Sequence, residues 1–189
     1  VGTCEDAVAY LSNPPEEPFI CIADFQNPHN ICGFVGANEG VHTDRPISGT
    51  LPELPANFDV EDWSSIPTPV QYICCSHRRM TQASHWSEEN YRHYIAAFQH
   101  YTKMVSKQVD SVLKALYSTP AGKNTIVVIL ADHGDGMASH RMVTKHISFY
   151  DEMTNVPFSF AGPGIKQQKK PVDHLLTQPT IDLLPTLCD

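Results

Sequence analysis

The hydrophobic pattern changes most sharply in residues 125 to 136. Ile126 to Ala131 are six consecutive apolar residues, four of them β-branched. This run is typical of a strand buried on both faces, because a half-exposed strand alternates with polar positions. The run ends at Asp132 and His133, followed by two glycines within three residues. Ligands of open α/β sheets bind at the carboxyl ends of strands, so the pattern predicts that this pair lies at a site.

Two other apolar runs predict further strands. Residues 18 to 25 read as a short buried strand, and Pro28 and His29 follow its end. Residues 155 to 161 predict another strand, which Gly162 and Pro163 terminate. Residues 33 to 85 hold most of the Gly and Pro punctuation, so they predict mainly loops with short helical turns.

Helical periodicity dominates residues 87 to 116. Ser87 predicts an amino-terminal cap, and Glu88 and Glu89 place favourable negative charge in the first turn. Apolar residues then recur every three or four positions, which predicts a long amphipathic helix packed on a sheet. These positions are Tyr94, Phe98, Tyr101, Val105, Val109, Val112 and Leu116. Residues 3 to 12 and 178 to 187 predict two shorter helices.

Composition narrows the class of protein. The 189 residues are 41% hydrophobic and 18% charged, which is sufficient for one globular domain with a real core. A net charge of −8 argues against nonspecific nucleic-acid binding, since that requires a basic surface. No apolar run approaches the roughly 20 residues of a membrane span, and no signal peptide is visible. The six cysteines lack a disulfide-framework spacing, and we expect mostly free, buried thiols.

The segment from Asp132 to Lys145 is rich in groups that bind ions. A carboxylate beside a neutral donor, as in Asp132 and His133, can hold a divalent metal. Lys145 could contact both an anionic substrate and its leaving-group oxygen. The alternative interpretation is an ordinary polar loop after a strand, and the placement at the strand end favours the metal site.

Histidines provide the other candidates. His29 follows a predicted strand, so two adjacent strands could direct His29 and Asp132 into one crevice. The alternative is that His29 has a structural or surface role, which is more common for a lone histidine. His140 and His146 could also reach the site. A basic cluster is more simply interpreted as a solvated face than as a substrate contact, and it comprises His77, Arg78, Arg79 and His85.

Several segments together resemble the catalytic domain of type I sulfatases, within the alkaline-phosphatase-like superfamily. They follow the order seen in that family and cover nearly the whole chain. These segments are residues 25–29, 54–58, 132–135, 139–140, Lys145, 149–152, 156–158, 162–164 and 182–186. The resemblance implies an α/β fold, a three-layer α/β/α sandwich with a mostly parallel central sheet. It also implies hydrolysis of sulfate monoesters, with a sulfated small molecule or glycan as the substrate.

The resemblance also assigns roles. In sulfatases the residues matching Asp132 and His133 face a calcium ion, and those matching Lys145 and His29 contact the sulfate. His140 belongs to a segment that often lies near the substrate. We therefore expect Lys145, His29 and His140 to be catalytic, His29 and Lys145 to bind substrate, and Asp132 and His133 to bind one Ca²⁺ that other residues complete.

One family signature is absent. Sulfatases use a formylglycine made within a Cys/Ser-x-Pro-x-Arg motif, and no such motif occurs in this sequence. The nearest approximation, residues 74 to 78, has Ser76 in place of proline and follows His29 when it should precede it. We therefore interpret residues 1–189 as part of a single sulfatase catalytic domain without its amino-terminal nucleophile region and its carboxy-terminal subdomain.

Two alternatives remain open at this stage. One is a phosphodiesterase or phosphonate hydrolase of the same superfamily, which commonly binds two transition metals. The other is a non-catalytic binding module that keeps the fold. Because sulfatases that act on glycans are usually exported, the resemblance implies a periplasmic or extracellular location.

Overall fold

The computed structural model describes residues 3–38, 49–59, 62–71, 83–145, 149–168 and 179–188. Within them the helices and strands follow one another as α1 Thr3–Ser12, α2 Ile31–Asn38, α3 Glu88–Tyr117, β1 Val127–Leu130, α4 Asp151–Thr154, β2 Phe158–Ala161 and α5 Pro179–Cys188. Short 3-10 helices cover Trp63–Ser65, Pro120–Asn124 and Ser139–Arg141. None of the helices in these ranges is long and apolar enough to cross a membrane.

Helix α3 is the longest element, and its sequence signals are confirmed. The Ser87 side chain accepts a hydrogen bond from the backbone N–H of Asn90 (3.3 Å), and the Asn90 side chain accepts one from the Ser87 N–H (2.9 Å). This reciprocal capping box satisfies two backbone donors that the helix would otherwise leave unpaired. Near the other end, Lys114 pairs with Asp110 at 2.6 Å, one turn earlier.

The main core lies between α2, the first half of α3 and the loop that follows β1. Aromatic edges meet there, with ring centroids 6.1 Å apart for Phe34 and Tyr94 and 5.3 Å apart for Trp86 and Tyr91. Such edge-to-face pairs are favourable beyond the area that they bury. The buried members of this core are Ile31, Phe34, Val35, Phe58, Ala83, Trp86, Tyr91, Tyr94, Ile95, Ala97, Ala138 and Val143. The loop after β1 is therefore held by the same core as α2 and α3.

Strands β1 and β2 form an antiparallel pair in which Val127 faces Ala161 and Leu130 faces Phe158. Both strands were predicted, but the prediction that β1 is buried on both faces is wrong. Ile129 and Leu130 are 41% and 40% exposed. A strand is fully buried only when other strands lie on both of its edges and other layers cover both of its faces. Among the described residues, β1 has a neighbour on one edge, which is β2.

The predicted strand over residues 18 to 25 is also wrong. This segment has no strand hydrogen bonding in the structure, and Ile20 and Ile22 are 84% and 87% exposed. Apolar and β-branched residues favour a strand, but a strand forms only where a partner strand is available to pair with it. The expectation of buried thiols also fails at Cys21 and Cys188, which are free but exposed.

Candidate active site

Asp132 and His133 lie directly after β1 and face one another. The backbone N–H of His133 donates to Asp132 Oδ1 (3.0 Å), and His133 Nε2 lies 3.5 Å from Asp132 Oδ2. The aspartate side chain is 84% exposed, whereas the imidazole is 34% exposed. The pair is therefore open on the side of the carboxylate, as a site that receives a ligand must be.

The hydrogen bonds of His133 fix which ring nitrogen can bind a cation. His133 Nδ1 lies 2.7 Å from the carbonyl oxygen of Gly134, and a carbonyl oxygen can only accept. Nδ1 therefore carries a proton, and in the neutral ring the Nε2 lone pair points toward the Asp132 carboxylate. A cation could be held between these two acceptors, and a backbone carbonyl partner on the other nitrogen is typical of metal-binding histidines.

The pair fits part of a metal site. A carboxylate suits Ca²⁺, and an imidazole nitrogen suits a transition metal better. Within the part of the chain that the structure describes, no group of three or more His, Cys, Asp or Glu side chains could hold a metal. Asp132 and His133 would thus supply two ligands, and a complete coordination sphere needs others.

Two glycines shape the backbone after the metal-binding candidates. The Gly134 N–H donates to the carbonyl of Met153 (2.9 Å), and a Cβ at position 134 would overlap the Glu152 carbonyl oxygen. A Cβ at Gly136 would meet the Met142 carbonyl oxygen at 2.8 Å. Glycine is needed at both positions because another backbone segment approaches too closely for a side chain. The second approach folds residues 136 to 144 into a closed loop.

A buried tyrosine holds both ends of this loop. The Tyr94 hydroxyl donates to Asp135 Oδ1 (2.6 Å) and accepts from the backbone N–H of Thr144 (2.7 Å). Asp135 Oδ1 also accepts from the Met137 N–H (2.9 Å). Gly136 N–H donates to the Thr144 carbonyl (3.1 Å), which brings the start and the end of the loop together. Lys145, immediately after Thr144, is therefore held close in the backbone to the segment that carries Asp132 and His133.

His140 lies at the tip of the loop against two segments that also match the sulfatase pattern. Its ring stacks on Tyr150, with centroids 4.4 Å apart, and its backbone N–H donates to the Asn57 carbonyl (2.7 Å). The Asn57 side-chain amide donates to Glu152 Oε1 (2.8 Å). Burial raises the pKa of Glu152, but hydrogen bonds, the strongest of them from Asn57, and the nearby His140 together outweigh it, so the pKa lies below its usual value. An ionised carboxylate thus lies beside the imidazole.

The neighbouring Arg141 fastens the same loop from outside. Its guanidinium donates twice to Asp59 Oδ1, at 2.8 and 2.6 Å, and lies 4.6 Å from the centroid of the Phe58 ring. Both groups are substantially exposed, so this pair adds little stability by itself. Its geometry nevertheless joins residues 57 to 59 to the loop that carries His140.

The predicted site residues are thus located, though not all in contact. Asp132 and His133 interact directly. The hydrogen bond between Gly136 and Thr144 brings the backbone just before Lys145 back to the segment that follows His133. His29 is exposed in the turn before α2, where its N–H donates to Gln26 and its carbonyl accepts from Cys32. No hydrogen bond or ion pair within the described ranges joins His29 to the other three. Outside those ranges lie His146 and most of the basic cluster, whose described member His85 is exposed.

Sequence reasoning missed the residues that support the site. Tyr94 was counted as one of the apolar positions of α3, so its hydroxyl was overlooked. Asn57 and Glu152 entered only as parts of family-like segments. The sequence did contain a signal for Asp135. It is the third ionisable residue after the end of β1, and a charged group at such a position needs either solvent or a buried hydrogen-bond partner.

Tyr94 should also make the free energy of unfolding decrease at alkaline pH. Burial first, and the Asp135 carboxylate second, raise the pKa of Tyr94 well above its usual value of 10.0. The unfolded chain then loses this proton before the native state does, so stability is complete below pH 10 and falls as the pH rises further. We expect the free energy of unfolding of Tyr94→Phe to fall less steeply than that of the wild type, by about 1.4 kcal/mol per pH unit above pH 10. Urea unfolding at pH 9, 10 and 11 measures this, and parallel curves for the two proteins would contradict it.

Comparisons with known proteins identify the family of this chain. The family profile described as Sulfatase matches residues 3–189. A Delta 4,5-hexuronate-2-O-sulfatase of Bacteroides thetaiotaomicron is 93% identical over 189 residues, which is 100% of this chain and 39% of the relative. A sulfatase of Formosa agariphila is 31% identical over 177 residues, covering 88% of this chain and 32% of its own length.

Solved structures give the same result. The structure of a 2-O GAG sulfatase matches with a TM-score of 0.92 and 92% identity, covering 98% of this chain and 40% of that chain. The chain belongs to the sulfatase family, and its fold is the alkaline-phosphatase-like α/β fold of those structures. The predicted family and fold class are confirmed. This chain spans about two fifths of the length of the relatives that it matches most extensively.

Proposed function

We propose that the protein containing this chain is a sulfuric ester hydrolase that removes the 2-O-sulfate of an unsaturated hexuronate derived from a sulfated glycan. The observation that carries the proposal is the 93% identity, over every residue of this chain, to a Delta 4,5-hexuronate-2-O-sulfatase. The open Asp132–His133 pair, next to a loop that ends in Lys145, supports the proposal, because a cation held by the pair would form an anion site together with the lysine. Its natural setting would be the periplasm or the extracellular space, where such glycans are degraded.

The chain would be one part of a single catalytic domain. Support comes from its coverage of about two fifths of its relatives and from the absence of a Cys/Ser-x-Pro-x-Arg motif in the sequence. The formylglycine nucleophile and the remaining metal ligands would then come from outside residues 1–189. This division would account for a metal site to which Asp132 and His133 contribute two ligands.

Each candidate residue has a role in this proposal. Asp132 and His133 would hold a Ca²⁺ ion, which helps to hold the sulfate and to stabilise its negative charge when bound. Lys145 would hold a sulfate oxygen and neutralise charge that develops on the leaving oxygen. His29 would bind another sulfate oxygen, and His140 would face the leaving group as a proton donor.

The core supports bringing His29 and Lys145 to one place. Ile31, two residues after His29, belongs to the same buried cluster as Val143, two residues before Lys145. Cys32 lies close enough to Tyr94 to affect its electrostatics, and Tyr94 contacts Thr144 directly. Residues that flank the two substrate-binding candidates thus pack in one core, which supports the proposal that both candidates face one pocket.

The test uses the full-length protein and the 189-residue chain side by side. We expect the full-length protein to release sulfate from a 2-O-sulfated unsaturated disaccharide and not from its 6-O-sulfated isomer, and the isolated chain to show negligible turnover. Metal analysis should find calcium. Robust turnover of an aryl sulfate by the isolated chain would refute the assignment of the nucleophile to other residues.

One feature favours the phosphodiesterase alternative, namely the imidazole of His133 facing the cation position. Zinc or manganese in the metal analysis, together with hydrolysis of a phosphodiester and no sulfate release, would establish that alternative instead.

A further inference from the structure

We propose that Tyr94 is a positioning residue for Lys145, acting by fixing the backbone of Thr144 to the segment that follows β1. The inference rests on the proposed function, in which Lys145 holds the sulfate. Tyr94 itself is fully buried and lies within the core, so it acts through the loop without touching substrate.

The two hydrogen bonds of the tyrosine hydroxyl define the link. One reaches Asp135, two residues after His133, and the other reaches the N–H of Thr144, one residue before Lys145. Their lengths of 2.6 and 2.7 Å are short, and Tyr94 and Thr144 are completely buried. A single oxygen atom therefore connects the Asp135 side chain, two residues after His133, to the backbone N–H of Thr144, one residue before Lys145.

The conformation of the loop shows why this link matters. Thr144 has a φ of 60°, and Met137, Ala138, His140 and Arg141 also have positive φ values. A β-branched residue in this region is strained, and such residues persist only where their surroundings hold them. Loss of the Tyr94 hydroxyl would leave the buried Thr144 N–H without its partner and remove one restraint on a strained residue. The backbone at Lys145 would then shift.

Tyr91 provides a matched control on the same helix. It is also buried, and its hydroxyl lies within hydrogen-bond distance of the carbonyl oxygens of Ala83 (3.3 Å) and Arg141 (3.2 Å), to either of which it can donate. Tyr91→Phe therefore removes a buried hydroxyl from the same core and the same loop, but four residues away from Lys145. A general loss of packing or stability would affect both phenylalanine variants alike.

The experiment is a double-mutant cycle in the full-length protein. We expect Tyr94→Phe to lower kcat/KM for the sulfated disaccharide about ten- to a hundredfold, mainly through kcat, because small misplacements of a catalytic group have effects of this size. In a Lys145→Ala background the same substitution should change kcat/KM less than about twofold, since the group that it positions is absent. Tyr91→Phe loosens the loop beside His140 and not beside Lys145, so its effect on kcat/KM should be the same with and without Lys145.

Each outcome decides the question. Equal effects of Tyr94→Phe with and without Lys145, or the same non-additivity of Tyr91→Phe with Lys145→Ala, would overturn the inference while the proposed function stands. Absence of sulfate release by the wild type would overturn the proposed function and this inference with it. If Tyr94→Phe fails to fold, Asp135→Asn weakens the same link at nearly constant volume and should reproduce the non-additivity with Lys145→Ala.

Discussion

Replacing Lys145 by alanine in the full-length protein should lower kcat/KM for the sulfated substrate by about a thousandfold, which is the scale expected when one preorganised cation is removed from a developing negative charge. Lys145 is exposed and has no hydrogen bond or ion pair with the residues that the structure describes. With respect to those residues, its amine can therefore bind an anion without first breaking a contact. Because charge on the leaving oxygen grows in the transition state, the loss should appear mainly in kcat.

The matched control for this variant is Lys123→Ala, which removes an exposed lysine from the turn before β1. Its kcat/KM should remain within about twofold of the wild type, since a surface substitution away from the site changes little. The loss at Lys145 should also be larger for an alkyl sulfate than for 4-nitrophenyl sulfate, whose leaving oxygen needs less stabilisation. A Lys145→Ala protein that turns over the disaccharide at the wild-type rate would remove this lysine from the site.

The sequence predicts helices better than strands in this chain for a physical reason. The capping residues and the apolar face of α3 are local signals, and the helix begins and ends within one residue of the predicted bounds. Strands depend on partners that are distant in sequence. The extended segment with exposed Ile20 and Ile22 has the composition of a strand, but it has no ladder in the structure.

The same distinction applies to the site. Asp132 and His133 are adjacent in sequence and follow an apolar run, so a sequence pattern was sufficient to propose them as a pair, and the structure places them in contact. Convergence with His29 stays a prediction. The hydrogen bond between Tyr94 and Thr144 joins residues that are 50 positions apart in the sequence. The periodicity of α3 predicts that Tyr94 packs in the core, but it does not show that the hydroxyl also holds a loop.

Gly134→Ala should be the most destabilising single methyl addition at this site, lowering the free energy of unfolding by about 3 kcal/mol. The added Cβ would overlap the Glu152 carbonyl oxygen and come within 3.3 Å of the Met153 Cα. Both obstacles are backbone atoms, so relief requires α4 to move away, which also breaks the hydrogen bond from Gly134 to Met153. That movement would displace His133, and metal binding should weaken together with stability.

Gly33→Ala is the appropriate comparison for this substitution. Gly33 lies within α2, and a Cβ there meets nothing within 4 Å. The same methyl group should therefore stabilise the protein slightly, by about 0.5 to 1 kcal/mol, because alanine loses less backbone entropy in a helix than glycine does. Urea unfolding and calcium titration of both full-length variants separate the two effects. Equal stability of the two variants would show that α4 moves easily to accommodate the added methyl group. The close contact between Gly134 and Glu152 would then not determine the position of His133.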